Sequence, residues 1–369
     1  MFLRKALISI AILFASLLST SKVLAQEPPQ ENVIYKGEVL QVLEQGHSEF
    51  GENYQKLEIL LYSKDPSSEE TLTKKITVEN NPQNSSKVIT YQKGDKVLLQ
   101  EIPAKDPTQN NATYIITDFQ RTGYLIFLFA IFILFTLIIG RKYGFYSLLG
   151  MVLSFLIIFK FILPQIAAGK SPILITLLAT AFIIPITFYL SHGFNRKTHA
   201  AIVSTLITLV AIGLFTVISV SAANLTGYAS EEAMFLQVAN QHINMRGILL
   251  AGIIIGFLGI LDDVSISQAS TVFQLKEANQ QYGTLELYKH AMEVGRDHIA
   301  SMINTLVLVY TGASMPLLLL FLESTQSFGS ILNREIIADE VIRTLIGSIG
   351  LILAVPLSTF ISAILAEGE

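Results

Sequence analysis

The sequence predicts a chain in two parts: a small all-β exported domain behind a signal peptide, then an α-helical polytopic domain of about seven membrane spans. Three observations carry this. Charged residues make up 15% of the chain and mean hydropathy is +0.53, whereas a soluble globular protein carries about a quarter charged residues. Long apolar runs begin only after residue 120. The charge is divided unevenly: residues 26–120 hold nine Lys plus Arg and fifteen Asp plus Glu, the remainder sixteen and fourteen. The chain has no cysteine, which excludes disulfides, thiolate metal sites and cysteine nucleophiles. No basic patch is dense enough for a nucleic-acid footprint.

The first element is the leader. Arg4 and Lys5 precede an apolar run from Ala6 to Leu18, and Val23 and Ala25 stand three and one residues before a cut after Ala25. A charged start, a short apolar core and small residues at the cleavage site make a signal peptide of residues 1–25. The core is too short for a span, which needs about 20 apolar residues.

Residues 26–120 follow as the extracytoplasmic domain. Val33–Leu43, Tyr54–Tyr62, Leu72–Val78, Lys96–Gln100 and Thr113–Thr117 alternate or carry β-branched and aromatic residues, with Gly, Pro, Asp and Asn between them. Five short strands with such breakers predict a small barrel of the OB or SH3-like kind. No aromatic-plus-basic stacking set accompanies them. The domain therefore reads as a cap, sensor or docking module for a protein partner.

Residues 121–369 form the membrane domain, with apolar segments at 122–140, 145–163, 171–190, 200–220, 247–268, 299–322 and 342–364. Each is long enough to cross the lipid bilayer as a helix. With residues 26–120 outside, Arg141, Lys142, Arg196, Lys197, Lys276, Lys289 and Arg296 fall in inner loops, against Lys170, Arg246, Arg334 and Arg343 outside. That excess agrees with inward-facing positive loops and puts the C-terminus in the cytoplasm. Gly252, Gly256 and Gly259 are spaced for close helix packing.

The informative stretch is Gly247–Ser270, where an apolar run gives way to Asp262 and Asp263. Stopped at Leu261, the span would hold only fifteen residues, so the helix is expected to continue and to carry both acids into the inner leaflet or its edge. An acid at mid-bilayer costs about 2.5–3.5 kcal/mol on insertion scales, so the pair needs partners, protons or water. Thr284 with Glu286 predicts a new helix start, with Leu285, Tyr288 and Met292 as its apolar stripe. His290, Glu293 and Asp297 lie on another face and have metal-ligand chemistry, though a solvated face explains them as well. Arg296, His298 and Asn304 follow, level with the acids; Asn304, Ser301, Ser265 and Gln268 supply dipoles. A loaded proton or cation, or plain helix pairing, fits this set. No cofactor is implied.

GFLGILDDVSISQ (256–268) and GRDHIASMINTLVLVYTGASMPLLLLF (295–321), with the order leader, small domain, helical domain, resemble the YibE/YibF-like family of bacterial multi-pass membrane proteins. The resemblance implies an inner-membrane protein often described only as a transporter, and again marks Asp262, Asp263, Ser267, Gln268, Arg296, Asp297, His298 and Asn304. Three function classes stay open: a permease for an ion or small solute, a non-catalytic scaffold or partner subunit, and a Mg²⁺-dependent lipid-phosphate enzyme. The last rests on the distant resemblance of GFLGILDD to the Asp-Asp segments of polyprenyl-phosphate sugar transferases. No second acidic motif and no Gly-rich phosphate loop support it. A serine-hydrolase elbow and an HExxH site are absent from the sequence.

Overall fold

The computed structural model describes residues 34–47, 53–64, 71–80, 89–102, 113–240, 242–322 and 326–368. The leader expected at residues 1–25 lies outside them. The chain divides into two compact units, with the boundary between Phe135 and Thr136.

The first unit contains an antiparallel sheet of β1 (Ile34–His47), β2 (Asn53–Lys64), β3 (Thr71–Asn80), β4 (Lys96–Ile102) and β5 (Thr113–Phe119), in the order β3-β2-β1-β4-β5. All five predicted strands are present. Alternate residues fill one face: Leu57, Ile59 and Leu61 from β2, Val78 from β3, Val97 and Leu99 from β4 and Ile116 from β5 are buried together with Val39 and Tyr91. The side chain of Gln55, 2% exposed, donates to Tyr91 O at 3.1 Å and accepts from Tyr91 N at 2.7 Å. That exchange pins the segment before β4 across the sheet. β3 and β5 approach each other, but no ladder of hydrogen bonds joins them among the described residues, so the sheet is curled rather than closed.

The helices are α1 (Thr122–Ile157), which passes through a π-helical turn (Ile158–Ile162) into α2 (Leu163–Ala167), then α3 (Pro172–His192), α4 (Arg196–Ala222), α5 (Glu231–Ala239), α6 (Met245–Ala278), α7 (Thr284–Ala313), α8 (Met315–Leu322), α9 (Phe328–Leu332) and α10 (Glu335–Glu367). Five helical stretches are long and apolar enough to cross a membrane, or six if α7 and α8 count as one bent span. By length and apolarity the count is thus five or six, against the seven expected. The first two predicted spans fall in one stretch, Thr122–Ala167, of 46 residues. At 1.5 Å per residue that is about 69 Å, against a hydrocarbon core of about 30 Å. Arg141, with φ 48° and ψ −125°, interrupts it. A Cβ on Gly144 would strike the carbonyl of Thr136, eight residues earlier, which requires the backbone to double back there. The predicted sixth span is also bent, by 66° between α7 and α8. Pro316 cannot donate to the carbonyl of Gly312, so the helix ends at Ala313 and restarts.

The bundle core is formed by α4, α6 and α10 packed on one another, with α7 against α10 and α3 against α6. Ile212, Ile253, Ile254, Phe257, Leu261, Ile346 and Leu351 are all buried in it. Phe257 seats on Gly347, whose absent Cβ would lie 3.4 Å from its ring. The glycines expected to pack closely do not. Gly252, Gly256 and Gly259 have nothing within 4 Å of a built Cβ and lie on the outer face of α6. The buried stripe of α7 is Leu287, Ala291 and Gly295, not Leu285, Tyr288 and Met292; Leu285 is exposed. Small side chains at that spacing let α7 lie closer to α10 than a Leu–Tyr–Met stripe would permit.

Candidate functional site

α6 runs for 34 residues, with Asp262 sixteen positions before its last residue and seventeen after its first. The acids therefore stand at the middle of the helix, about 24 Å from Ala278, rather than near its end. Asp262 is half-buried and Asp263 exposed. The charge that bears on Asp262 is that of Asp263. Among the described residues no ion pair joins either aspartate to Arg296 or His298.

The register of α7 explains this. Gly295 faces Gln268, both ends of whose amide lie 3.3 Å from a built Gly295 Cβ. Counting six residues up each antiparallel helix brings Asp262 level with Ser301. Arg296 and Asp297 are close to the Gln268 level but exposed, His298 is half-buried, and Asn304 is exposed above them. The expected cluster of Asp262, Asp263, Ser267, Gln268, Arg296, Asp297, His298 and Asn304 is thus dispersed around two helices, and only Gln268 enters the core. Among the described residues no three His, Asp or Glu side chains gather as metal ligands, so His290, Glu293 and Asp297 form no such site. His290 instead stacks on Tyr282, with ring centroids 5.1 Å apart. α7 begins at Thr284, with Gly283 rather than Thr284 as its N-cap, the Gly283 N–H donating to the Glu286 carboxylate at 3.1 Å.

What the core gathers is a set of neutral oxygens. Ser358 on α10 lies 3.0 Å from Ser204 Oγ on α4 and 3.1 Å from Ser265 Oγ on α6. One position on, Thr359 Oγ1 is 2.9 Å from Gln268 Oε1 and 2.7 Å from Val355 O. Ser204, Ser265, Gln268, Ser358, Thr359 and Ser362 are all 0% exposed. Gln268 Nε2 and Ser362 Oγ have no hydrogen-bond partner. Sequence reasoning missed Ser204, Ser358, Thr359 and Ser362. The signal was present: Ser204-Thr205-Leu-Ile-Thr208 and Ser358-Thr359-Phe-Ile-Ser362 are the same pattern of small hydroxyl residues at i, i+1 and i+4, on helices that face each other. A second polar spot lies near the other end of α10, where Arg343 pairs with Asp339 at 3.5 Å and Glu340 at 3.9 Å.

The family model of YibE/F-like proteins matches residues 128–368. The chain belongs to the YibE/F-like family. That match covers every helix of the bundle beyond the first turns of α1, including both polar spots. No curated protein and no solved structure matches the chain. With its apolar helices, this member of the family is a membrane protein with several spans.

Proposed function

We propose that this protein is a permease-type transporter for an ion or small solute, held in the cell membrane with residues 26–120 outside and the C-terminus in the cytoplasm. The observation that carries the reading is Asp262, a carboxyl halfway along a bundle helix with no ion-pair partner among the described residues. A carboxyl at that depth costs insertion energy that a structural role would offset with a fixed partner. An exchangeable partner offsets it only while bound, which is what a carrier requires. Pro356 supports the same reading. It removes an amide donor from the interior of α10 and leaves the carbonyl of Ile352 without its helical partner, the kind of helix irregularity that spanning helices tolerate inside protein.

Orientation is supported by the grouping of basic residues. Arg196 and Lys197 start α4 at the bundle end where Arg196 meets Gly368 O at 3.0 Å and Thr284 meets Glu367; Arg246, Arg334 and Lys170 sit at the other end. The strand order β3-β2-β1-β4-β5 with β3 near β5 supports a small OB-type barrel for the outer domain, suited to docking a protein partner.

The test is flux across proteoliposomes, over a panel of ions and small solutes, for wild type and Asp262→Asn. We expect at least one solute to move with wild type and its rate to fall by an order of magnitude or more in the variant, the equivalent of about 1.4 kcal/mol or more of lost interaction. Equal rates overturn the role of Asp262. A scaffold role is the second reading, favoured by the Ser358–Ser204, Ser358–Ser265 and Thr359–Gln268 contacts, which tie three helices together as interhelical polar bonds do. Absence of flux for every solute, with a partner co-purifying on the outer domain, would select it.

A further inference from the structure

We propose that the buried oxygens of Ser204, Ser265, Gln268, Ser358, Thr359 and Ser362 form a binding site for a dehydrated sodium ion. The proposal goes beyond the transport reading and does not depend on it.

The argument is a count of protons and lone pairs. Ser204 Oγ lies 2.9 Å from Ala201 O, an acceptor only, so its proton is committed there. Ser204 can then only accept from Ser358, which commits the proton of Ser358. Ser265 must in turn donate to Ser358. The three hydroxyls are thus a one-way chain ending on a carbonyl, with every proton used and lone pairs left over at each oxygen. Thr359 is in the same position. Its one proton goes to Val355 O at 2.7 Å, so the Gln268 amide satisfies Thr359 only by presenting its NH₂ group, which leaves the amide oxygen free. Ser362 Oγ adds a further unpartnered oxygen.

The result is a fully buried cluster with more acceptors than donors. An orphaned buried polar group is costly; Thr176 Oγ1, Asp339 Oδ1 and Arg343 Nε are others among the described residues, but they do not stand among further buried hydroxyls and an amide as Gln268 and Ser362 do. Gln55, equally buried in the sheet, has both ends of its amide bonded to Tyr91. Oxygen excess calls for a hard cation, for which hydroxyl, amide and carbonyl oxygens are the ligands. The cluster itself is uncharged; on α6 the half-buried Asp262 stands one turn before Ser265, and Asp263 beside it is exposed. An all-neutral oxygen set suits a single positive charge better than two. The Oγ separations of 3.0 and 3.1 Å describe a contracted cluster, which opens less for sodium than for potassium. Gly295 closes the α7 side; a Cβ there would stand 2.6 Å from Val355 Cγ1.

Two substitutions test this, one of them leaving every hydrogen bond of the cluster in place. Ser265 heads the hydroxyl chain, so Ser265→Ala strands no donor; Ser362 bonds to nothing, so Ser362→Ala removes only an oxygen. The measurement is the thermal unfolding midpoint of the purified full chain in detergent, in NaCl, KCl and choline chloride at equal ionic strength. Binding to the folded state alone raises the midpoint with the logarithm of ion concentration once that exceeds the dissociation constant. We expect NaCl to raise the midpoint of wild type more than KCl does. We expect an unchanged midpoint in choline chloride for Ser362→Ala, a lower one for Ser265→Ala from the lost Ser358 contact, and in both a sodium dissociation constant weaker by about tenfold, the worth of one good ligand. Equal midpoints in NaCl and choline chloride overturn the site; so do a larger shift in KCl and a sodium response unaltered in both variants. If a variant does not fold, equilibrium binding of radioactive sodium to wild type decides, and no saturable uptake overturns the proposal. Flux with no sodium binding would sink this site and leave the transport reading; sodium binding with no flux for any solute would do the reverse.

Discussion

Two tyrosine environments show how single residues are set by their neighbours. Tyr35 on β1 donates to Glu101 Oε2 at 2.7 Å and meets Tyr114 edge-on, with ring centroids 5.8 Å apart. The hydrogen bond to the carboxylate, with burial, pushes the phenol up to about 12 from its ordinary 10.0. Tyr91 is also raised, by burial under the sheet. For Tyr35 the folded state holds its proton where the unfolded chain has lost it. Its stabilisation is therefore complete below about pH 10 and disappears as pH rises towards about 12. Tyrosinate absorbance of wild type minus Tyr35→Phe should show one phenol titrating near pH 12; a midpoint near 10 would contradict the Glu101 contact. In the sequence, Tyr35 and Glu101 were visible only as a strand residue and a loop-edge acid, because the register of β1 on β4 that joins them is a non-local fact.

At the scale of elements, the α7–α10 contact is the tightest test of the packing. Gly295 faces Val355 and Gln268 with no room for a methyl group. Gly295→Val should force the helices apart and destabilise the bundle by about 1–3 kcal/mol, the usual cost of overpacking. Gly252→Val, facing open space, should change the midpoint little. Thermal unfolding of the two variants side by side checks both. This pair also shows what was legible. The strands and the helices could be read from alternation and apolar run length, since both are local properties. Which glycine approaches a neighbour is not local. The GxxxG spacing of α6 is a pattern that membrane helices often use, but here the faces that meet are set by Phe257, Ile212 and the small residues of α10. The candidate site was legible only in Ser265 and Gln268 for the same reason. The acids caught attention because they are costly, whereas small hydroxyls on α4 and α10 cost little one at a time. They become notable only when the fold stacks them. The number of spans was hard to read where a proline or a reversal at one residue decides how an apolar run is divided.

For the whole molecule, the chain joins an acidic sheet unit to a bundle whose basic residues gather towards one end. Because the chain has no cysteine, single cysteines can report the side on which each loop lies. Gln280→Cys, between α6 and α7, should react with a membrane-impermeant thiol reagent only after the inner face is opened. Glu232→Cys, at the start of α5, should react from outside in intact cells. The reverse pattern would invert the proposed orientation.

The acid that opens α10 has a mechanical meaning. Glu335 accepts from Thr226 N at 2.5 Å, Gly227 N at 2.9 Å and the Thr226 hydroxyl at 2.8 Å, while Arg196 grips Gly368 O at the opposite tip. Two rods held at both tips resist sliding and splaying. Under the transport reading proposed above, relative motion then falls to parts outside that frame, and the 66° elbow between α7 and α8 is one such place.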